Sequence, residues 1–177
     1  RDIVLGGSTL NPATILVTGT TSALPSEMSP DFRLPTGTTA NSFTAKGGRI
    51  AASAGRDITS PPSDQTLFNN WFFRSGRLAP NSDRFANSTN LAWWTRTDLF
   101  RHGFGSFGGG NIVINANRNI QDVSALAPSS ARMASATPDA TKLVIENGGD
   151  IDVSAGGNIS GGSFFIGRGN GSLTAGG

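Results

Sequence analysis

The 177-residue chain contains no cysteine. That excludes a disulfide framework, a thiolate metal site and a cysteine nucleophile. Charge is scarce too: charged residues make up 15% of the chain, and 14 cations against 12 anions leave a net charge of +2. Nucleic-acid binding needs a concentrated basic face, and these cations are scattered, so no nucleic-acid partner is expected. No run approaches the roughly 18 apolar residues of a membrane span. The opening residues lack the charged-then-apolar pattern of a signal peptide. With a single histidine, His102, a Ser-His-Asp triad would have one candidate base. No catalytic, cofactor-binding or metal-binding residue is assigned.

What the chain has in quantity is glycine, 24 residues of it, and a repeat. Gly148-Gly149-Asp150-Ile151-Asp152-Val153-Ser154-Ala155-Gly156-Gly157-Asn158-Ile159 has two degenerate copies, at 47–58 and 109–120. The shared pattern is a Gly pair, Ile-x-(Val/Ile/Ala)-x-Ala, a Gly or Asn, one variable residue, and Asp/Asn-Ile. Ile151, Val153 and Ala155 alternate with Asp152 and Ser154, which places the apolar side chains on one face of a short strand. Gly148, Gly149, Gly156 and Gly157 supply corners where positive φ is tolerated. Strand, corner, strand, corner describes one turn of a β-solenoid, and repetition at such intervals decides the fold before anything else. Asp57, Asn119 and Asn158 share one repeat position and are expected to form a structural ladder, hydrogen-bonding from turn to turn.

The expected fold is therefore all-β: a right-handed parallel β-helix with an aromatic-rich, partly helical insertion. The chain reads as one β-solenoid segment over 1–177, with turns at 1–58 and 108–177 and the insertion at 59–107. Residues 21–46, with Pro25, Pro30 and Pro35, read as a surface loop, since proline removes ladder donors. A turn of roughly 20 residues makes the spacings between copies about three turns and two. Residues 127–139 read as a second loop, followed by a strand from Lys142 to Ile145. Arg1-Asp2-Ile3 matches Arg56-Asp57-Ile58, and Leu173 to Gly177 matches Val153 to Gly157. The repeats are thus cut at both ends, and a slice of a longer chain, or a subunit that stacks end to end on further copies, is expected.

All three tryptophans, Trp71, Trp93 and Trp94, and seven of eleven phenylalanines fall within 59–107. Leu67, Phe68, Trp71 and Phe72 fit one face of a short helix with Asp64 as N-cap. Asn90 fits the cap of a second helix carrying Leu91, Trp94, Asp98 and Leu99 and ending at Gly103. The aromatics form either a satellite core that holds the insertion against the solenoid or an exposed patch for a glycan or protein partner. In the second case Trp71, Trp93 and Trp94 are the contact residues.

Ala54-Gly55-Arg56-Asp57-Ile58, Gly110-Asn111-Ile112-Val113-Ile114-Asn115-Ala116 and Ala155-Gly156-Gly157-Asn158-Ile159 resemble the repeats of filamentous-haemagglutinin-type large exoproteins. Trp93-Trp94-Thr95-Arg96-Thr97-Asp98-Leu99-Phe100, leading into Gly108-Gly109-Gly110-Asn111-Ile112, is similar to a segment of their C-terminal region. The resemblance implies a right-handed parallel β-helix secreted through an outer-membrane transporter by two-partner secretion, to the cell surface or medium of a Gram-negative bacterium. It also implies a role in adhesion, aggregation or biofilm formation on host-cell, glycan or matrix surfaces.

Other motifs have plainer explanations. Gly103-x-Gly105-x-x-Gly108 lacks the strand-before, helix-after setting of a dinucleotide site. Asp150 and Asp152 read as a solvated strand face, since glycosidase carboxylates must flank a substrate. His102 reads as a cation at a helix end, and Arg56 and Arg118 as solvated residues rather than a cationic stripe for acidic glycans. The preferred function is a non-enzymatic structural or adhesive surface protein without cofactors. The alternative is a carbohydrate-active β-helix enzyme, a polysaccharide lyase or hydrolase, since fold alone does not choose between them.

Overall fold

The computed structural model describes residues 1–8, 13–23, 42–62, 71–75, 92–97, 99–133 and 143–177. Every element among them is a strand, and no helix occurs among the described residues. The chain repeatedly visits the same three sheets. It starts with β1 (Ile3–Val4) and β2 (Thr14–Val17), then makes a hairpin of β3 (Thr20–Ala23) and β4 (Ser42–Ala45). The second circuit is β5 (Ile50–Ala54) and β6 (Ile58–Thr59), an excursion through β7 (Phe72–Ser75) and β8 (Ala92–Thr95), and a return in β9 (Gly103–Ser106). The third is β10 (Ile112–Ala116), β11 (Ile120–Gln121) and β12 (Ala125–Ala127), with an excursion through β13 (Ser129–Met133) and β14 (Leu143–Asn147). The fourth, β15 (Ile151–Ala155), β16 (Ile159–Ser160) and β17 (Phe164–Ile166), has no excursion and leads into β18 (Gly171–Ala175).

Three parallel four-stranded sheets result, in the orders β5-β10-β15-β18, β1-β6-β11-β16 and β2-β9-β12-β17. Register follows the sequence repeat: Ile112 lies between Ile50 and Ile151, and Ile120 between Ile58 and Ile159. The alternation explains which side faces in. Ile112, Ile114, Ile151, Ile58 and Ile120 are fully buried, while Asp152 and Asn115 are exposed. The inward columns of all three sheets meet in one apolar cluster that includes Phe104, Val123, Ala125 and Val153.

The corners explain the glycines. Gly149 has φ +144°, and a Cβ there would lie 2.3 Å from the Gly110 carbonyl oxygen of the neighbouring circuit. Gly156 is required for a different reason than expected. Its φ is not positive, but a Cβ would lie 2.2 Å from the Asn117 oxygen, so stacking distance and not torsion demands glycine.

Several expectations are corrected. Copies 62 and 39 residues apart, such as Asp57, Asn119 and Asn158, are adjacent in the stack, one circuit apart each time. The extra residues leave the stack for the excursions, and the undecorated spacing of 20 residues appears in the last step, from Asp150 to Asn170 and from β15 to β18. The insertion is not helical where described: Phe72–Ser75 and Ala92–Thr95 are antiparallel strands in the sheet order β14-β13-β8-β7. Aromatics and threonine favour such a half-buried pleated surface, and a few apolar residues cannot separate helical from strand periodicity. Asp64, Leu67, Phe68, Asn90, Leu91 and Asp98 lie outside the described residues, as do Pro25, Pro30, Pro35 and residues 137–139. The ends of the 21–46 stretch pair as the β3–β4 hairpin, and Ser129 and Ser130 belong to β13, with Pro128 at the joint between two strands.

The buried inner column makes a direct test. Ile114→Ala should lower stability by about 2–5 kcal/mol, the range for large-to-small core changes. Val4→Ala, at a side chain 70% exposed, should stay within about 0.5 kcal/mol. Urea unfolding midpoints of the two variants check this, and similar losses would contradict the assignment of inside and outside.

Candidate functional site

The corner between the first two sheets is built identically in three circuits, three residues separating the paired strands each time. At its last position stand Asp57, Asn119 and Asn158. The Asn119 N–H and Nδ2 both donate to Asp57 Oδ1, at 2.9 and 3.0 Å. The Asn158 N–H donates to Asn119 Oδ1 at 3.0 Å. Asp2 extends the series, its Oδ1 accepting the Asp57 N–H at 3.2 Å. In each step a side-chain oxygen satisfies a corner N–H of the next circuit, the local competition with the backbone ladder that Asn and Asp perform well.

Arg56 and Arg118 are not free surface cations. The Arg56 guanidinium spans both Asp2 oxygens, at 3.0 Å from Nε and 2.5 Å from Nη2. Arg118 lies 3.9 Å from Asp57. Each arginine thus reaches the acid of the preceding circuit. The Arg56 hydrogen bonds hold the Asp2 carboxyl below the usual carboxylate value and raise the guanidinium's own. Both groups are solvent-exposed, so this pairing is a weak contribution to stability.

A second ladder runs parallel to the first and was missed from sequence. The Asp150 N–H donates to Asn111 Oδ1 at 3.0 Å, and the Asn170 N–H donates to Asp150 Oδ1 at 2.8 Å. Asp150 is therefore a bonded corner residue and not a solvated strand carboxylate; Asp152 alone is exposed on β15. The signal was present: Asn or Asp follows the glycine in Gly110-Asn111, Gly149-Asp150 and Gly169-Asn170. The first copy has Arg49 at this position and the last has Gly171 where the others have Ile, which hid the column.

The tryptophans lie elsewhere. Leu16, Gly105, Leu126 and Phe165 occupy one outward column of the third sheet. Trp71, Phe72, Phe100 and Phe107 pack over it in a second apolar cluster. Trp71 is fully buried, with ring centroids 5.6–5.9 Å from Phe72, Phe100, Phe107 and Phe165. Gly105 makes the room, since a Cβ there would lie 2.9 Å from both Leu16 and Phe100 side chains. Trp94 is 5% exposed. Trp93 is half-buried and donates from Nε1 to Ser129 Oγ at 3.3 Å. Trp71 and Trp94 are thus core side chains and present no ring to a glycan.

His102 is also corrected. No helix precedes it among the described residues, and it is 2% exposed beside Phe100, ring centroids 5.0 Å apart. Neither ring nitrogen has a hydrogen-bond partner among the described residues, and the same holds for the buried Ser106 hydroxyl. Burial pushes the imidazole pKa down.

The outward face of the second sheet is polar and carries a trough. Asp2, Asp57 and Asn119 on one side, and Val4, Thr59 and Gln121 on the other, line an open trough of about 310 Å³. Among the described residues no group of three or more His, Asp or Glu side chains is placed to hold a metal. Compared with known proteins, the chain matches no protein-family model, no curated protein and no solved structure.

Two outcomes test this geometry. Asn119→Ala removes one side-chain acceptor, Oδ1, and one side-chain donor, Nδ2, and should cost about 1–2 kcal/mol. Asn158→Ala, at an exposed side chain that makes no hydrogen bond among the described residues, should cost under about 0.5 kcal/mol. Denaturant midpoints separate them, and equal effects would remove the ladder's energetic role. The second concerns His102. Above about pH 6.5 the imidazole is neutral in both states. Below it the unfolded chain binds a proton that the folded chain does not, so stability falls with pH until the lowered folded value is passed. The difference in melting temperature between the parent and His102→Leu should change across that acid window and be constant above pH 7.

Proposed function

We propose that the chain is a segment of a right-handed parallel β-helix belonging to a filamentous-haemagglutinin-type exoprotein, and that it serves as a non-enzymatic structural and adhesive element at a bacterial surface. The observation that carries this reading is the in-register parallel stacking of three sheets, with a step of 20 residues where no excursion intervenes. Three strands per circuit, each followed by a corner, wind the chain around one continuous core. The hand follows from the rule that parallel crossover connections are right-handed in about 98% of cases. The Gly-Asn-Ile and Gly-Arg-Asp-Ile corners that resemble that family are the residues forming the two ladders, so the resemblance rests on positions with a physical job.

A stack of this kind suits a rod. Each circuit contacts only its neighbours, so length is added by repetition, and excursions can change without disturbing the corners. In this reading the protein leaves the cell through an outer-membrane transporter, and the rod stacks on further repeats or copies. The runner-up, a polysaccharide lyase or hydrolase, shares the architecture, and the polar trough on the second sheet is the feature that would serve it.

The test is made on the bacterium that encodes the chain. Antibodies against the 177 residues should label intact cells, external protease should remove the label, and deletion should reduce adherence or autoaggregation. Retention inside the cell with unchanged adherence would sink the proposal. The chain should release no uronides from pectin or alginate with or without Ca²⁺. Release abolished by Asp150→Asn or Asp152→Asn would establish the enzyme instead.

A further inference from the structure

Among the described residues the outward face of the second sheet is open, unlike the covered outer column of the third. The third sheet carries the aromatic cluster on its outer column. The second carries a trough whose floor is the backbone of Ile3, Ile58 and Ile120, walled by Asp2, Asp57 and Asn119 on one side and by Val4, Thr59 and Gln121 on the other. We propose that this trough binds a neutral oligosaccharide lying along the stacking direction. The proposal rests on the surface-adhesin reading and gives it a ligand class.

Three features select that chemistry. First, the backbone N–H and C=O groups of the sheet are engaged along the stack, for example Ile58 N–H to the Asn119 oxygen and Ile120 N–H to the Asn158 oxygen, both at 2.9 Å. A peptide therefore cannot add to this face by strand pairing, which needs an open edge. Second, the charges beside the trough are neutralised within the protein: Arg56 lies on Asp2, and Arg118 is 3.9 Å from Asp57. No unbalanced field is left to capture a polyanion, whether nucleic acid or acidic glycan. Third, the open valences suit hydroxyl groups. The Gln121 amide spends one N–H on Asp122, at 3.3 Å. Its carbonyl oxygen, its second N–H and the Thr59 hydroxyl form no other bond among the described residues. Asp57 receives both Asn119 bonds on Oδ1, leaving Oδ2 with only the distant Arg118. Planar amides and carboxylates accept and donate in pairs, as vicinal hydroxyls do. The exposed Val4 side chain offers an apolar contact for a ring's C–H face.

The geometry fits a chain of sugars and not a single one. Equivalent groups recur along the trough at the spacing of neighbouring strands, about 4.8 Å. That is comparable to the advance per ring of an extended β-linked glycan, so successive rings meet equivalent walls. The volume, about 310 Å³, lies at the small end of ligand sites and suits two or three rings.

The experiment is a titration of the ¹⁵N-labelled 177-residue chain with cellotetraose, maltotetraose and a tetragalacturonate, read by amide chemical shifts at two salt concentrations. The expected result is saturable movement of the Thr59, Asn119 and Gln121 amides with cellotetraose, insensitive to salt and weaker with the coiled maltotetraose. The double variant Thr59→Ala, Gln121→Ala should weaken binding about tenfold, the loss of one or two hydrogen bonds. Both sites point outward, and unchanged shifts for Ile114 and Ile151 report that the variant is folded. No saturable shift with either neutral tetrasaccharide, shifts centred elsewhere, binding unaffected by the double variant, or salt-sensitive binding of the galacturonate alone would each overturn the proposal. The adhesive reading is judged separately, by the adherence of the deletion strain. A strain whose chain carries the double variant and still adheres fully would remove the trough and leave the adhesin.

Discussion

The constraint on which this structure depends is that each circuit must lie flat on the last at the separation of paired parallel strands. A parallel ladder fixes neighbours about 4.8 Å apart, and at a corner no pleated strand holds that distance. Two devices keep it there. Glycine lets backbone approach backbone, as where a Cβ on Gly156 would collide with the Asn117 oxygen. Asn and Asp side chains then supply the hydrogen bonds that the corner N–H groups lose, in the ladders through Asp57, Asn119 and Asn158 and through Asn111, Asp150 and Asn170. A buried or half-buried N–H left without a partner is costly. The side chains at these corners are therefore held first by the hydrogen bonds they make to the next circuit.

The same constraint governs where the chain can leave the stack. The corner from the first sheet to the second keeps three residues in every circuit that has both strands. All excursions flank strands of the third sheet: β3–β4 follows β2, β7–β8 precedes β9, and β13–β14 follows β12. They then cover that sheet's outer column with Trp71, Phe100 and Phe107. The third sheet is apolar on both faces and sandwiched between two cores, which explains why β9 is buried along its whole length. Asn147, at φ +66°, ties these parts together by donating to the Thr44 carbonyl and, at 3.0 Å, to the Ser130 hydroxyl.

This division also explains how far the sequence could be read. The twelve-residue repeat is the first strand, the fixed corner and the second strand, so its register, its inward face and the Asp57–Asn119–Asn158 column were all visible. The third side of each circuit was not, because its strands carry no shared spelling: Gly103-Phe104-Gly105-Ser106, Ala125-Leu126-Ala127 and Phe164-Phe165-Ile166 align only through backbone pairing. For that reason insertions were counted as extra turns. A short aromatic run packed on one side satisfies either period, so Phe72 and Trp94 fit helices by pattern and stand in strands. The burial of Trp71 and His102 follows from the outward column of Leu16, Leu126 and Phe165, which no local pattern announces.

The repeat and the excursions also separate stability from recognition in an unexpected way. The broken part of the pattern, rich in aromatics, is where a binding surface is usually sought, since aromatics mark recognition sites. Among the described residues the aromatics Trp71, Phe72, Phe100 and Phe107 meet one another and the third sheet, and of the tryptophans only Trp93 stays half-buried. The uninterrupted part, whose residues look like scaffold, keeps an open polar face, and the corner joining it to the first sheet holds three residues in each of three circuits. On a stack, such a face presents corresponding positions at every circuit, here Val4, Thr59 and Gln121 on one wall and Asp2, Asp57 and Asn119 on the other. A long ligand can then engage several weak contacts at once, each circuit adding effective concentration for the next. Regularity, which identifies the second sheet as scaffold, is therefore also the property that would make it a surface for a repetitive ligand.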